Sequence, residues 1–478
     1  MEHPPFSATV ENALRDVERR IKADPASIDL RYERASLLEV LGHMELARMV
    51  YAGILAKQPG DARALNAIGR LHYKAGARTA AQAAFAEAAS KHPDDIASHV
   101  NLAYTFVSTS RFEDARRHYA RALELDPEHP MAHQGLAYVL DELGDTEGAN
   151  KHRVSGFREA ISEGSYRGDG EPVRVLLLCS ALGGTVSTAQ FLDERIFLTT
   201  VLVVELFHDA VPLPPHHVVF NAIGDADRCA EALARAKEIL ALTDAPVVNQ
   251  PDHVLATGRL QNAARLRVLS GVVTPQIRQF GRSELSKVSF AYPIMLRAPG
   301  FHTGRFFVKV DRAEDLAAAI YGLPGETLLS LEYLDGRGTD GKYRKFRVIM
   351  VDGELYPLHL AISSDWKVHY GSAQMNDVAH RGEEERFLSD MPAFLGEHTM
   401  SALRSIADAM GLEFGGIDFG VDANGNVLLY ESNATMTVVI PEKHDTATYR
   451  RLPAERIVLA VIKMLARLSV RVDGLRSP

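Results

Sequence analysis

Gly415-Gly416-Ile417-Asp418-Phe419-Gly420-Val421, then Asp422-Ala423-Asn424-Gly425-Asn426, then Val427-Leu428-Leu429-Tyr430-Glu431-Ser432-Asn433 reads as two strands joined at Asn424-Gly425, a dipeptide that tolerates the positive φ angles of a tight two-residue turn. A turn there places Asp418 opposite Glu431 and Gly416 opposite Asn433. The two-residue period of a strand then puts Asp418, Glu431 and Asn433 on one face. Like charges directly opposite each other destabilise a sheet, so an Asp–Glu pair flanked by apolar positions requires a cation. Two carboxylates and an amide oxygen suit magnesium, which prefers hard oxygen ligands and is usually shared with substrate phosphates. The alternative is a solvated hairpin carrying ordinary surface acids.

Around this hairpin lies a chain of 478 residues, too long for one ordinary core, so two or three domains are expected. An apolar fraction of 46% with 24% charged residues describes a soluble globular protein, and the net charge of -9 argues against a general nucleic-acid binder. Cys179 and Cys229 cannot form a disulfide framework, which fits a reducing compartment, and each reads as a small buried residue. The N-terminus lacks a basic segment followed by an apolar one, and no apolar run reaches the length of a membrane span. A cytoplasmic protein is expected.

An internal repeat fills the first third. Prolines recur at Pro25, Pro59, Pro93 and Pro127, alanines at Ala47, Ala81, Ala115 and Ala149, and aromatics at Tyr51, Phe85 and Tyr119, always 34 residues apart. That period belongs to a helix–turn–helix repeat. A small residue in each unit (Ala35, Gly69, Ala103, Ala137) lets the helices approach, and Gly42, Gly76 and Gly144 end the first helix, with Ser110 in the equivalent place. The pattern resembles the tetratricopeptide repeat, with residues 8 to 24 as the second helix of a partial leading unit. The resemblance implies a curved surface that binds a peptide or protein segment, and a scaffold or a homodimerisation arm is compatible with it. His99, His118, His129, His133 and His152 do not fall at metal-ligand spacings.

The segment from Ser162 to Pro172, rich in glycine, marks a linker. Val173–Cys179 reads as a buried strand running into Gly183-Gly184. Further β segments around Thr200–Leu206 and His217–Phe220, a helix at Ala226–Leu242 and the apolar Pro246-Val247-Val248 complete a small α/β unit with a parallel sheet. From Asn249 onward the order of elements resembles the ATP-grasp superfamily. It runs through a helix containing Arg259, a strand ending in Arg297, the turn Pro299-Gly300-Phe301-His302-Thr303-Gly304-Arg305-Phe306, the strand and hinge Leu328–Asp335, the strand Tyr343–Met350 and, last, the acidic hairpin. The expected fold class is thus α plus α/β and multidomain: a helical-repeat solenoid at 1–163, a small pre-ATP-grasp α/β domain at 171–272, and a two-subdomain ATP-grasp fold at 273–475.

The resemblance implies a role for each matching residue. Arg297 and Arg259 would meet phosphate oxygens with forked donor sets, where family members usually carry lysine. Gly300 and Gly304 would let backbone N–H groups approach the phosphates, in a loop that also holds His302 and is normally richer in glycine. Glu332, Tyr333 and Leu334 would present backbone groups to adenine, with Asp335 near the ribose. Arg347 would neutralise charge building on the γ-phosphate and the acyl phosphate, and Asp418, Glu431 and Asn433 would hold Mg2+.

Between the arginine strand and the hairpin, Leu358–Tyr370 contains the chain's single tryptophan, and His359, Lys367, His369 and Arg381 are candidates for recognising a carboxylate or acting as a base. The family implies an ATP-dependent carboxylate–amine ligase, as in glutathione synthetase and the ribosomal-protein glutamate ligase. Its substrates would be a small-molecule or peptide carboxylate and an amine, and the repeat arm would recruit a peptide or protein. Two alternatives stay open: a catalytically impaired nucleotide-binding scaffold, and a kinase on the same fold.

Overall fold

The computed structural model describes residues 6–157, 159–300, 304, 306–370, 373–441 and 447–473. The chain divides into two compact units, Met1–Arg158 and Glu159–Pro478.

The first unit is helical. Helix α1 (Phe6–Ala23) precedes four antiparallel pairs: α2 (Ile28–Val40) with α3 (Met44–Lys57), α4 (Ala62–Lys74) with α5 (Arg78–Lys91), α6 (Ile96–Ser108) with α7 (Phe112–Leu125), and α8 (Pro130–Leu143) with α9 (Thr146–Ser155). Ser27, Asp61, Asp95 and His129 each cap the first helix of a pair, accepting a hydrogen bond from the backbone N–H three residues on. Each cap satisfies a donor that a helix N-terminus leaves open. Gly42, Gly76 and Gly144 take φ angles of 78°, 76° and 91°, and Ser110 takes 57°, so the one non-glycine in the series meets the same backbone demand. Ala47, Ala81, Ala115 and Ala149 are fully buried, and a Cβ on Gly69 would run into the Phe85 ring. Small residues therefore mark the places where helices touch.

The second unit is mixed α/β. Its strands in chain order are β1 (Ile161–Glu163), β2 (Val173–Cys179), β3 (Phe197–Val203), β4 (Val218–Asn221), β5 (Val247–Val248), β6 (Val272–Val273), β7 (Ile277–Gly281), β8 (Ile294–Arg297), β9 (Phe307–Val310), β10 (Thr327–Glu332), β11 (Tyr343–Val351), β12 (Glu354–Ser363), β13 (Phe414–Val421) and β14 (Val427–Asn433). They form three sheets with the orders β1-β3-β2-β4-β5, β7-β10-β8-β9 and β12-β11-β13-β14-β6. The first is parallel apart from β1, which pairs antiparallel with β3. That pairing moves the boundary between the units to Arg158/Glu159 instead of residue 163, because Ile161–Glu163 is an edge strand of the second unit. The first and third sheets share one apolar core, in which Leu178 and Val219 join Phe346 and Phe419. The long helix Arg451–Asp473 lays Ile457, Val461 and Leu465 against Phe220 and Phe414, so residues on either side of 272 pack as a single body.

Two local readings change. The helix expected at Ala226–Leu242 spans Ala230–Leu240, because the Asp225 carboxylate accepts from the N–H groups of Asp227 and Arg228 and holds a turn there. The hairpin loop is longer than two residues: the Asp422 N–H donates to the Asn426 carbonyl, and Gly425 takes the positive φ of 81°. Phe419 therefore faces Leu429, one step off the expected register. A β-bulge between Asp418 and Phe419 restores it, so that Asp418 faces Glu431 and Gly416 faces Asn433. Among the described residues no helix is long and apolar enough to cross a membrane.

Candidate functional site

A cleft of about 460 Å³ opens between the second and third sheets, with loops of the first sheet at Thr185 and Arg228 on its rim. Its floor is one row of side chains across the third sheet. β11 points Tyr343, Lys345 and Arg347 to the cleft at two-residue spacing, and in the ladder Arg347 lies between His359 of β12 and Asp418 of β13, which faces Glu431 of β14. Arg347 grips both oxygens of Asp418, Nε donating to Oδ1 at 2.6 Å and Nη2 to Oδ2 at 2.7 Å. Lys345 Nζ lies 2.8 Å from Oδ2.

Asp418 is 1% exposed. Burial alone raises a carboxyl pKa, but Lys345 and Arg347 outweigh it and hold this carboxyl far below the usual carboxylate range. Cations of the chain itself stand beside both opposed acids, Lys345 and Arg347 at Asp418 and Arg259 at Glu431. The donor set still has the chemistry of a magnesium site: Asp418 and Glu431 offer hard oxygens from adjacent strands. Asn433 Oδ1 already accepts from the Thr435 N–H at 3.0 Å and its hydroxyl at 2.8 Å, and joining an ion would cost it one of these. No group of three His, Cys, Asp or Glu side chains converges among the described residues. An ion at Asp418 and Glu431 would need oxygens from elsewhere to complete its coordination.

Arg259 opens the helix Arg259–Leu266. That helix is pinned to β14 by Asn262, whose Nδ2 donates to the Ser432 carbonyl at 2.9 Å and its hydroxyl at 2.7 Å. Arg259 then pairs with Glu431 and with Asp227, each at 3.2 Å. Arg297, at the end of β8, is buried with its guanidinium over the Phe307 ring. Burial, and then repulsion from Arg259, lower its pKa to about 10. Two guanidiniums that repel each other across a cleft favour an anion between them. Glu332, Tyr333 and Leu334 line the same cleft, with the Tyr333 hydroxyl donating to that of Tyr343 at 2.9 Å.

Gly304, Lys367 and His369 also line it. A Cβ on Gly304 would meet the Lys367 side chain at 2.8 Å, and Lys367 Nζ donates to the Phe307 carbonyl at 3.2 Å. Burial, then Lys345 and Arg347, lower the pKa of His369, which leaves its ring neutral at pH 7.

The remaining sequence candidates lie elsewhere. Gly300, at φ 78°, sits beside the cleft with its carbonyl accepting from Arg228 at 2.9 Å. Asp335 accepts from Arg337 Nε at 2.9 and 3.0 Å and follows the lining segment Glu332–Leu334 without lining the cleft itself. His359 is enclosed, its ring 4.8 Å from that of Tyr370 and its Nδ1 without a hydrogen bond, so it sits beside Arg347 on the same sheet face and does not line the cleft. Arg381, on the helix Val378–Ser389, is also outside the lining. His302 lies outside the described residues. Burial pushes the Cys179 and Cys229 thiols up to about 12, which excludes a thiolate nucleophile at neutral pH.

Lys345 went unread in the sequence, although its two-residue spacing from Arg347 puts both on one face. Glu384 was missed as well: it is fully buried, accepting from the hydroxyls of Tyr370 at 3.2 Å and Tyr449 at 2.5 Å, with Arg450 at 3.4 Å. No local pattern announces a cluster assembled from three separate segments.

The tetratricopeptide repeat profile matches residues 32–96 and 100–149, so this part of the chain is a tetratricopeptide repeat region. No curated protein sequence matches the chain. Solved structures similar to the repeat region include MamA from Desulfovibrio magneticus RS-1, 21% identical over 31% of this chain and 83% of that one, with a TM-score of 0.28. PilF of Pseudomonas aeruginosa is 20% identical over 31% of this chain and 68% of its own, at 0.29. A thermophilic TPR protein of Thermus thermophilus is 17% identical over 32% and 83%, at 0.28.

Proposed function

We propose that residues 159–478 act as an ATP-dependent ligase of the ATP-grasp type, activating a carboxylate as an acyl phosphate and joining it to an amine. The observation that supports this most is the row Arg347–Asp418–Glu431 on the floor of a cleft that also gathers Arg259, Arg297 and the Glu332–Leu334 segment. Arg259 and Arg297 would bind phosphate oxygens, and the backbone of Tyr333 and Leu334 would meet the base. Arg347 would stabilise charge as the substrate carboxylate attacks the γ-phosphorus and ADP leaves. An amine would then displace phosphate from the acyl carbon, and neutral His369, which lines the cleft, would accept its proton. Magnesium held by Asp418 and Glu431, with Asn433, would supply the charge neutralisation that lets a carboxylate approach a triphosphate. Tetratricopeptide repeats suggest a protein-interaction scaffold, and on that ground the substrate is a peptide or protein brought in by the array.

A screen of peptide, amino-acid and dicarboxylate pools for ADP formation tests this, with Asp418→Asn alongside. Turnover that is equal in the variant removes Asp418 from the chemistry, and product mass separates ligation, with water lost, from phosphorylation. A second reading, a nucleotide-binding scaffold without chemistry, draws support from the engagement of both Asp418 oxygens by Lys345 and Arg347. ADP release with any acceptor rejects it.

A further inference from the structure

We propose that the third and fourth helix pairs form an acid-labile half of the helical array, each pair closed by two histidines that share a single proton. In α6/α7 the Nδ1 atoms of His99 and His118 lie 3.0 Å apart, and in α8/α9 those of His133 and His152 lie 2.8 Å apart. His99 and His133 occupy equivalent places in the 34-residue frame, as do His118 and His152. The ring centroids are 5.3 and 5.1 Å apart, longer than the nitrogen contact by two ring radii in each case, so both Nδ1 atoms lie on the line between the rings. The Nε2 of His99 meets the Pro93 carbonyl at 3.1 Å, and that of His133 meets the Pro127 carbonyl at 2.8 Å. A carbonyl only accepts, so these Nε2 atoms carry the hydrogen and, in a neutral ring, leave Nδ1 as a lone pair. His118 and His152 therefore donate from Nδ1. A first added proton goes to the Nε2 of His118 or His152 and leaves that bond intact. A pair charged on both rings points two N–H groups at each other, and the helices must part.

The charged neighbours do not lift this limit. Burial, and then the partner ring, lower the pKa of both His118 and His152. Beside His118, Arg117 opposes a charge and Asp114 favours one, but Asp114 is divided between Arg111 and Arg117. Arg121 reaches the Pro93 carbonyl at 3.4 Å, and Asp95, at the head of α6, accepts from Asn66 at 3.0 Å and from the Ser98 N–H at 2.9 Å. Beside the fourth pair, Asp145 favours a charge on His152 while capping α9, and Arg153 pairs with Asp141. The opened pair takes up two protons at the ordinary histidine pKa near 6.5, whereas the closed pair takes at most one. Closure is therefore fully stabilised above about pH 6.5 and weakens as pH falls below it. The first two helix pairs lack the device, because Arg31 with Val50 and Leu65 with Ala84 stand at the equivalent positions. Tyr104 and Tyr138, half exposed on α6 and α8, belong to the labile half, so acid alters the surface of the array there.

The test is hydrogen exchange of the full chain, resolved by peptide and corrected for intrinsic exchange rates, between about pH 7.5 and pH 5. Protection across α6–α9 is expected to fall about ten-fold for each pH unit below about 6.5, one proton being taken up on each opening, while α2–α5 keeps its protection. His129 also caps α8 through Nδ1, which a proton removes, so the third pair isolates the effect. There the double substitution His99→Leu with His118→Ala installs the residues of the second pair. The acid response of α6/α7 is expected to vanish in this variant and that of α8/α9 to remain. Two wild-type results overturn the proposal without any variant: equal losses in α2–α5 and α6–α9, or protection of α6–α9 that ignores pH. An undiminished response of α6/α7 in the double variant overturns it as well.

Discussion

Arg347 and Asp418 face each other directly across neighbouring strands and are joined by two parallel hydrogen bonds of 2.6 and 2.7 Å, a forked contact at the centre of the row that floors the cleft. The pair fixes the Arg347 guanidinium relative to Glu431, and it places a fully buried carboxylate where Lys345 also reaches it.

Asp418→Asn leaves both cations facing a neutral amide. Breaking a buried pair costs roughly 3–5 kcal/mol, and with each cation about one-fifth exposed water recovers part of this. A loss of about 2–3 kcal/mol is expected, read from the denaturant midpoint of the second unit. The folded carboxyl titrates far below its unfolded value near 4, so its stabilisation is present above that pH and drains away as pH falls below it. The variant should lack this acid limb.

His359 carries the opposite charge logic. Burial, and then Arg347, hold its pKa well below 6.5, so the unfolded chain takes up a proton that the folded chain refuses. Stability should fall by about 1.4 kcal/mol per pH unit as pH drops below about 6.5. His359→Leu should abolish that slope and cost less than about 1.5 kcal/mol at pH 7, since Nδ1 makes no hydrogen bond to lose. Melting curves of both proteins between pH 5 and pH 8 measure it, and parallel curves would reject it.

Gly135→Ala probes the repeat array. A Cβ there would run into the Tyr119 ring, which is 3% exposed and has no room to retreat. Overpacking costs about 1–3 kcal/mol and the gain in helix propensity returns less than about 1. A net loss of about 1–2 kcal/mol is expected, visible as a lower melting temperature for the helical unit.

Arg259→Met and Arg297→Met test phosphate binding. Loss of charge-assisted hydrogen bonds worth about 1.5–3 kcal/mol each should weaken an ATP analogue about 10- to 100-fold, whereas Arg297→Lys should weaken it less because the charge stays. Calorimetry decides, and unchanged affinity in both methionine variants would place the nucleotide elsewhere.

The sequence by itself determined whatever local chemistry sets. The caps at Ser27, Asp61 and Asp95, the left-handed residues at Gly42 and Ser110 and the alanine contacts all act within one repeat, so a 34-residue frame carries them. The facing of Asp418 and Glu431 was readable because the two strands adjoin in the chain, although the longer loop and the bulge cancel only in three dimensions. The tertiary structure alone decided the electrostatics. The Arg347–Asp418 contact spans 71 residues of chain and Asn262–Ser432 spans 170, and neither Lys345 on Asp418 nor Tyr449 on Glu384 leaves a periodic trace. Caps, turns and strand pairs follow from neighbours along the backbone, whereas the charge of a buried carboxylate depends on which distant segments the shared core brings beside it.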